Sequence, residues 1–332
     1  MSDPKIVLVT GCAIGGIGYE YCKAFAEKNC HVFASDISIR MHDMKQLESH
    51  NNVETLEIDV SSDQSVSSAV ETVISKRGRI DILVNNAGIG STGPLAEMPL
   101  DAIRKAWEIN TLGQLRMVQH VVPHMASRRS GSIVNVGSIV GTVSTPWAGS
   151  YCSSKASVIA MTNSLRLELR PFGIDVVLVL PGSVKSNLGR ANMERLGNQD
   201  WKLYKEFKDS IAERARASQG EKATDGRVFA RHVVNKVLRP KPPKQIAFGH
   251  MTGLFALLSW SPIWVRDLFF STRFGLNRKM SITYGLALFI MLRFKSGVTG
   301  EAPLRDAFPT VKAPTRQWPS TQEALKEEAP HP

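Results

Sequence analysis

The 332-residue sequence has only four cysteines, Cys12, Cys22, Cys30 and Cys152, and no pair of them has metal-ligand spacing. That scarcity excludes a zinc finger and a disulfide-stapled scaffold. It predicts reduced thiols in a cytosol-facing protein without a metal site. Aromatic residues are few, at 7%, and are not interleaved with the basic residues, so no nucleic-acid partner is expected. There are no internal repeats, which excludes solenoids and propellers. No cleavable targeting peptide is visible, because the N-terminus runs straight into the strand-like segment from Lys5 to Thr10.

What is present is an ordinary globular composition, 43% hydrophobic and 21% charged, enough to bury a full core. The net charge of +11 is uneven. From residue 181 onward there are 25 Lys and Arg against 13 Asp and Glu, while the first 180 residues hold 16 against 17. The basic excess of the C-terminal part suits an anionic membrane, a phosphorylated substrate or a merely solvated surface.

Short runs rich in Val, Ile and Leu recur at Ile6–Thr10, His31–Asp36, 53–59, 80–85, 132–136 and 174–180, with a seventh at Gln245–Phe248. Unbroken apolar runs of this length suit strands covered on both faces. The stretches between them, at 17–28, 63–76 and 151–169, read as helices. Strand–helix alternation predicts an α/β fold with a doubly wound parallel sheet. Residues 186–240 are polar and basic, with helical stretches near 201–217 and 225–238. They follow a strand's carboxyl end, where insertions cover a ligand, so they are expected to form a substrate lid.

The first strand leads into Thr10-Gly11-Cys12-Ala13-Ile14-Gly15-Gly16-Ile17-Gly18. Glycines here allow a tight turn, a close approach to a pyrophosphate and close packing of the following helix, whose N-terminus faces the phosphates. An acid follows 18 residues past Gly18: Asp36, at the end of the second strand. Its carboxylate can accept from the adenosine ribose hydroxyls and would repel a 2′-phosphate, so NAD is favoured. NADP stays open through Arg40, which lies near enough to meet that phosphate. Asp59 and Val60 close the third strand, where an adenine amino group could bind, and Asn85-Asn86-Ala87-Gly88 closes the fourth with small residues.

Tyr151 and Lys155 are four residues apart in a helical run, hence on one face. A nearby ammonium favours the phenolate and lowers a tyrosine pKa. Tyr151 can then exchange a proton with a carbinol or carbonyl oxygen during hydride transfer. Ser138, at the end of the preceding strand, can hydrogen-bond the same oxygen and steady developing charge.

Thr10-Gly11, Gly16-Ile17-Gly18, Asp59, Asn85 to Gly88, Asn110, Ser138, Tyr151, Lys155 and Pro181-Gly-Ser-Val-Lys-Ser186 stand in one order in which the sequence resembles the short-chain dehydrogenase/reductase family over residues 5–250. The resemblance implies a Rossmann fold and an NAD(P)-dependent oxidoreductase acting on CH–OH groups. It further implies that Asn110 supports a water that relays protons past Lys155, and that Val184 and Ser186 touch the nicotinamide amide and the phosphates. From the residues alone, Asn110 is a polar helical side chain suited to bonding the backbone. Four residues rather than the usual three separate Gly11 from Gly16-Ile17-Gly18. That wider loop, with the stretch from Trp260 to Asp267, is similar to the fungal 1-acyldihydroxyacetone-phosphate reductase-like subgroup. Its members typically use NADPH on lipid-like ketones, and Asp36-Ile37 departs from their basic pair.

Residues 245–265 carry no formal charge, and 280–292 are again apolar, with Arg266, Arg273, Arg278 and Lys279 between. Gly249, Gly253 and Pro262 weaken a membrane span. An interfacial helix on a membrane surface or lipid droplet, facing the cytosol, is one reading. A pocket wall or a contact between copies in a homo-oligomer is another. The expected organisation is therefore a catalytic domain over 1–250, an apolar, membrane-associating extension over 251–295 and a disordered tail over 296–332. Function is expected in the interconversion of a lipophilic secondary alcohol and its ketone, in lipid, isoprenoid/steroid or specialised-metabolite biosynthesis. Acyl-dihydroxyacetone-phosphate reduction and a catalytically silent, membrane-attached nucleotide-binding protein are the alternatives.

Overall fold

Alternation of strand and helix folds the chain into one twisted sheet covered on both faces. The computed structural model describes residues 3–277 apart from Asn198. The apolar run 280–292 and the tail 296–332 lie outside the described residues. The first half contains β1 (Ile6–Thr10), α1 (Ile17–Ala26), β2 (His31–Asp36), β3 (Val53–Glu57), α2 (Asp63–Arg77), β4 (Ile82–Asn85), α3 (Leu100–Trp107) and α4 (Gly113–Ser127). The second contains β5 (Gly131–Val136), α5 (Gly149–Glu168), β6 (Ile174–Pro181), α6 (Asn187–Leu196), α7 (Lys208–Ala215), α8 (Gly226–Val237), β7 (Gln245–Phe248), α9 (Thr252–Trp260) and α10 (Ile263–Arg273). The strands run in the order β3-β2-β1-β4-β5-β6-β7, and every pairing is parallel. This is the doubly wound Rossmann arrangement expected from the sequence. Its order reverses between β1 and β4, where a ligand crevice opens at the strands' carboxyl ends.

The unbroken apolar strands have a direct cause. Along β1, Val7 and Val9 join one core with Val32 and Ala34 of β2, under α1 and α8. Ile6 and Leu8 point to the other core with Phe33, under α2 and α4. Alternate side chains feed opposite layers, so both faces of these strands favour apolar residues, with the buried polar Thr10, Ser35 and Asn85 near their carboxyl ends. Two helices begin at polar caps: Ser62 accepts from the Ser65 amide ahead of α2, and Asp225 accepts from the Arg227 and Val228 amides ahead of α8.

One segment that carried no expectation is structured, and another departs from its expected form. Residues 38–49, in the β2–β3 connection, form a 3-10 helix that buries Met44 and Leu47. The stretch 201–217 is not one helix. The Glu97 carboxylate accepts from the Lys202 and Leu203 amides, which takes those donors out of any helical ladder and pins buried Trp201 into a third core. Helical structure resumes only with a short turn at Lys205–Phe207 and then α7. That third core also receives Phe255 and Leu258 of α9 and Phe270 of α10. Among the described residues, no helix is long and apolar enough to cross a membrane.

Candidate active site

The strand ends β1, β4, β5 and β6 bring the predicted residues to one edge of the sheet. Thr10 ends β1, and its hydroxyl accepts from the Asn86 and Ala87 amides, both at 3.1 Å. Asn86 Nδ2 donates in turn to the carbonyls of Thr10 and Gly11, at 2.9 and 3.0 Å. The Thr10 and Asn86 side chains thus fasten the glycine loop to the β4 loop.

The glycine loop is shaped by close approach. Gly11 has φ +73°, and a Cβ there would lie 2.7 Å from Ala87 Cα. A Cβ on Gly18 would lie 2.2 Å from the Gly11 carbonyl oxygen and 2.6 Å from Asn86 Nδ2. Gly16 is the extended residue ahead of α1, and Ile17 opens that helix against the core. A dinucleotide pyrophosphate fits this cradle: the loop backbone is free of side-chain bulk and leads into a helix N-terminus. Asp36 Oδ2 accepts from the Ala13 amide at 2.8 Å, and Oδ1 accepts from Ile37 N. The carboxylate therefore braces the loop from the edge where a ribose would lie. Arg40 is paired with Asp43. Asp59 Oδ1 accepts from both the amide and hydroxyl of Ser61, and the Val60 carbonyl accepts from Arg116.

Ser138 follows β5, Tyr151 sits in the first turn of α5, and Lys155 lies one turn on. Lys155 is 3% exposed. Its Nζ donates to the Val136 carbonyl at 2.8 Å and stands 5.9 Å from the Tyr151 ring centre. A Cβ on Gly88 would come within 3.7 Å of that Nζ, so glycine keeps the approach to the ammonium open. Burial lowers the Lys155 pKa to about 8. Burial raises the Tyr151 phenol to about 12, against the lowering influence of the Arg214 guanidinium and the Ser138 hydroxyl. The Lys155 ammonium donates to the Val136 carbonyl, and a further positive charge near the phenol comes from Arg214 of α7.

Asn110 lies in a π-helical turn, Glu108–Leu112, between α3 and α4. It is fully buried. Its Oδ1 accepts from Ile89 N at 2.7 Å, and its Nδ2 donates to Ile89 O and Ser154 Oγ. The side chain is a clamp joining the β4 loop to α5. π-helical turns inside helices are frequent at functional sites. Val184 is buried in the core, so only its backbone can face a ligand. Ser186 precedes α6, and its carbonyl accepts from Gln219.

Three residues are missed by sequence reasoning. Arg214 and Thr145 are joined at 2.9 Å; Arg214 is one basic residue among many in its segment and carries no motif. Asn187 donates from its backbone to Gly15 O and from its side chain to Ile14 O; its only signal is that it follows Ser186.

With this geometry in view, the likenesses to known proteins are specific. The family described as short chain dehydrogenase matches residues 5–196. A short-chain dehydrogenase of Penicillium crustosum, PC-15, is 34% identical over 237 residues, covering 71% of this chain and 85% of its own length. A 3-ketodihydrosphingosine reductase of Bacteroides thetaiotaomicron is 30% identical over 268 residues, covering 80% and 94%. In architecture, the crystal structure of a short-chain dehydrogenase from Streptomyces avermitilis superposes with a TM-score of 0.69 at 24% identity, over 84% of this chain and all of that one.

Proposed function

The chain belongs to the short-chain dehydrogenase/reductase family, NAD(P)-dependent oxidoreductases acting on CH–OH groups, and from that premise we propose that it interconverts a lipophilic secondary alcohol and its ketone. The observation that carries this reading is the meeting of Tyr151, Ser138 and Lys155 at the sheet edge beside the glycine cradle. The dinucleotide, when bound, supplies the hydride acceptor or donor. Tyr151 exchanges the proton at the substrate oxygen. Ser138 orients that oxygen and shares its developing charge. Lys155 holds the nicotinamide ribose, and Asn110 keeps the β4 loop and α5 in register and serves the proton relay. Thr10, Gly11, Gly16, Ile17 and Gly18 hold the pyrophosphate side. Asp59, Val60, Asn86 and Gly88 line the adenosine side, and the backbone of Val184 and Ser186 lines the nicotinamide. Residues 186–240 form the substrate lid. An intact Tyr151–Lys155–Ser138 set favours turnover over a silent nucleotide-binding protein. The lipophilic substrate is supported by the aromatic third core against the site and by the relative named a 3-ketodihydrosphingosine reductase. Specialised-metabolite or lipid biosynthesis is the setting this suits, with acyl-dihydroxyacetone-phosphate reduction as the narrower alternative. Steady-state turnover of a panel of lipophilic secondary alcohols tests the reading; no turnover with any alcohol or ketone, with either dinucleotide, would refute it.

NAD is the preferred nucleotide on this reading, since Asp36 faces the ribose edge and Arg40 is held by Asp43. The two functions of Asp36 can be separated. Asp36→Asn keeps an acceptor for the Ala13 amide but removes the charge, and kcat/KM should shift toward NADP by roughly tenfold or more. Asp36→Ala should lose affinity for both nucleotides in addition, because the loop loses its brace. An unchanged NAD/NADP ratio in Asp36→Asn overturns the assignment.

A second reading concerns α9 and α10. Trp260 is 90% exposed, Ile263 73% and Leu257 70%, with Trp264 and Leu268 also exposed nearby. Apolar and indole side chains clustered this way suit the headgroup region of a bilayer or lipid droplet on its cytosolic face. The double variant Trp260→Ser, Ile263→Ser should lose most co-flotation with anionic vesicles while keeping turnover. Full-length protein that fails to float overturns this attachment.

A further inference from the structure

The most unusual group beside the site is a guanidinium. Arg214 lies on α7, inside the segment that follows β6, and its Nε donates to the Thr145 hydroxyl at 2.9 Å. Thr145 is buried, and its Oγ1 stands 3.8 Å from the sulfur of Cys152, the neighbour of Tyr151. That chain of contacts brings the guanidinium against the first turn of α5, and its charge reaches the Tyr151 phenol. Its terminal nitrogens have no hydrogen-bond partner, and it takes part in no ion pair, among the described residues. Glu213, its sequence neighbour, is taken by Arg273. A half-buried cation without a counter-charge is costly to maintain, and such groups persist where a ligand completes them.

A second observation lies two residues beyond Thr145. Trp147 is 6% exposed, and its indole N–H is buried without an acceptor among the described residues. Its ring packs on Tyr204 at 5.4 Å and on Phe207 at 5.5 Å, both from the stretch leading into α7. Trp147 also has φ +63°, a conformation rare for a bulky side chain and one that marks functional loops. One wall of the site therefore combines aromatic surface with two donors that lack protein acceptors.

We propose that Arg214, braced by Thr145, is a specificity residue that receives an anionic oxygen of the substrate, while Trp147, Tyr204 and Phe207 hold the substrate's apolar body. The substrate class is thus an amphiphile whose carboxylate or phosphate lies close to the reacting carbon. A guanidinium suits this task because its planar fork can pair with two oxygens of one acid group. The inference rests on the reading of Tyr151 as the reacting centre, but binding can test it without turnover.

The test is calorimetric titration of the cofactor-saturated full chain with dodecanoate, dodecyl phosphate and dodecanol, in wild type, Arg214→Gln and Arg214→Lys. In wild type, at least one anion should bind about tenfold or more tighter than the alcohol, the size expected of charge-assisted hydrogen bonds. Arg214→Gln should abolish that preference and leave dodecanol affinity within about twofold, and Arg214→Lys should restore part of it. The tighter of the two anions identifies the headgroup. Equal binding of acid and alcohol by wild type overturns the proposal. So does an anion preference that survives Arg214→Gln, and so does an equal loss for all three ligands, which marks a structural role. Unchanged dinucleotide affinity in both variants controls for folding. Failure of these outcomes with turnover intact leaves the dehydrogenase reading standing; absence of turnover leaves the binding result readable.

Discussion

Replacing Tyr151 with phenylalanine is expected to lower kcat by about three orders of magnitude and to leave dinucleotide affinity within about twofold, the range in which a positioned acid–base group acts. The substitution deletes one oxygen and keeps the ring, so the turn of α5 and the Lys155–Val136 contact stay in place. The pH dependence follows from the same proton. Burial holds the phenol near 12 before any ligand is present. Below that value the phenolate population rises tenfold per pH unit, so alcohol oxidation should accelerate with rising pH through the neutral range. Ketone reduction uses the protonated phenol and should not gain. Lys155 works in the opposite direction: its pKa of about 8 means the ammonium is mostly charged at neutral pH and is lost above that. Oxidation should therefore bend over in alkali before the phenol is fully ionised. Stopped-flow rates from neutral into alkaline pH check this, and a Tyr151→Phe enzyme with wild-type turnover would overturn the assignment.

Gly18→Ala should be a severely damaging single-methyl change at the dinucleotide cradle. The added Cβ would sit 2.2 Å from the Gly11 carbonyl oxygen and 2.6 Å from Asn86 Nδ2, and the first of these is backbone that cannot rotate away. Overpacking of this kind costs about 1–3 kcal/mol, occasionally more. Here it falls on the fastening that joins the β1 and β4 loops. Dinucleotide affinity should fall by more than about tenfold, with a clear drop in melting temperature. Gly16→Ala is the internal comparison, since the nearest atom to its Cβ would be the Ala13 carbonyl oxygen at 3.1 Å, and its effect should be smaller. Dinucleotide fluorescence titration and thermal unfolding measure both. A Gly18→Ala variant that binds as wild type would show that α1 can withdraw from the loop.

Legibility differs with the kind of physics involved. The strands of the doubly wound sheet are readable because their alternate side chains fill two different cores, which leaves an unmistakable apolar run. The Tyr151–Lys155 spacing is readable because helix periodicity is local. The region 201–217 is not, because the Glu97 carboxylate, distant in sequence, intercepts two backbone amides that a helix would have used. The source of the opposing charge at Tyr151 is unreadable for a related reason. Lys155 is near in sequence and readable by helix spacing, whereas Arg214 arrives from a helix that only the folded chain brings to α5. Asp36 stands out by its strand-end position, but its bond to Ala13 N emerges only once the loop is seen turning back over it.

The contact between Asn187 and the glycine loop bears on the timing of the catalytic cycle. Asn187 opens α6 and bonds the carbonyls of both Ile14 and Gly15, the part of the loop lengthened by one residue. The segment after β6 is thereby stitched to the rim of the dinucleotide cradle. On the proposed binding mode, a dinucleotide leaving that rim would have to part this stitch, whereas a substrate entering beside Tyr151 would not. The enzyme would then load its nucleotide first and release it last, and the residence time of the spent nucleotide, rather than the chemical step, would set the pace of turnover.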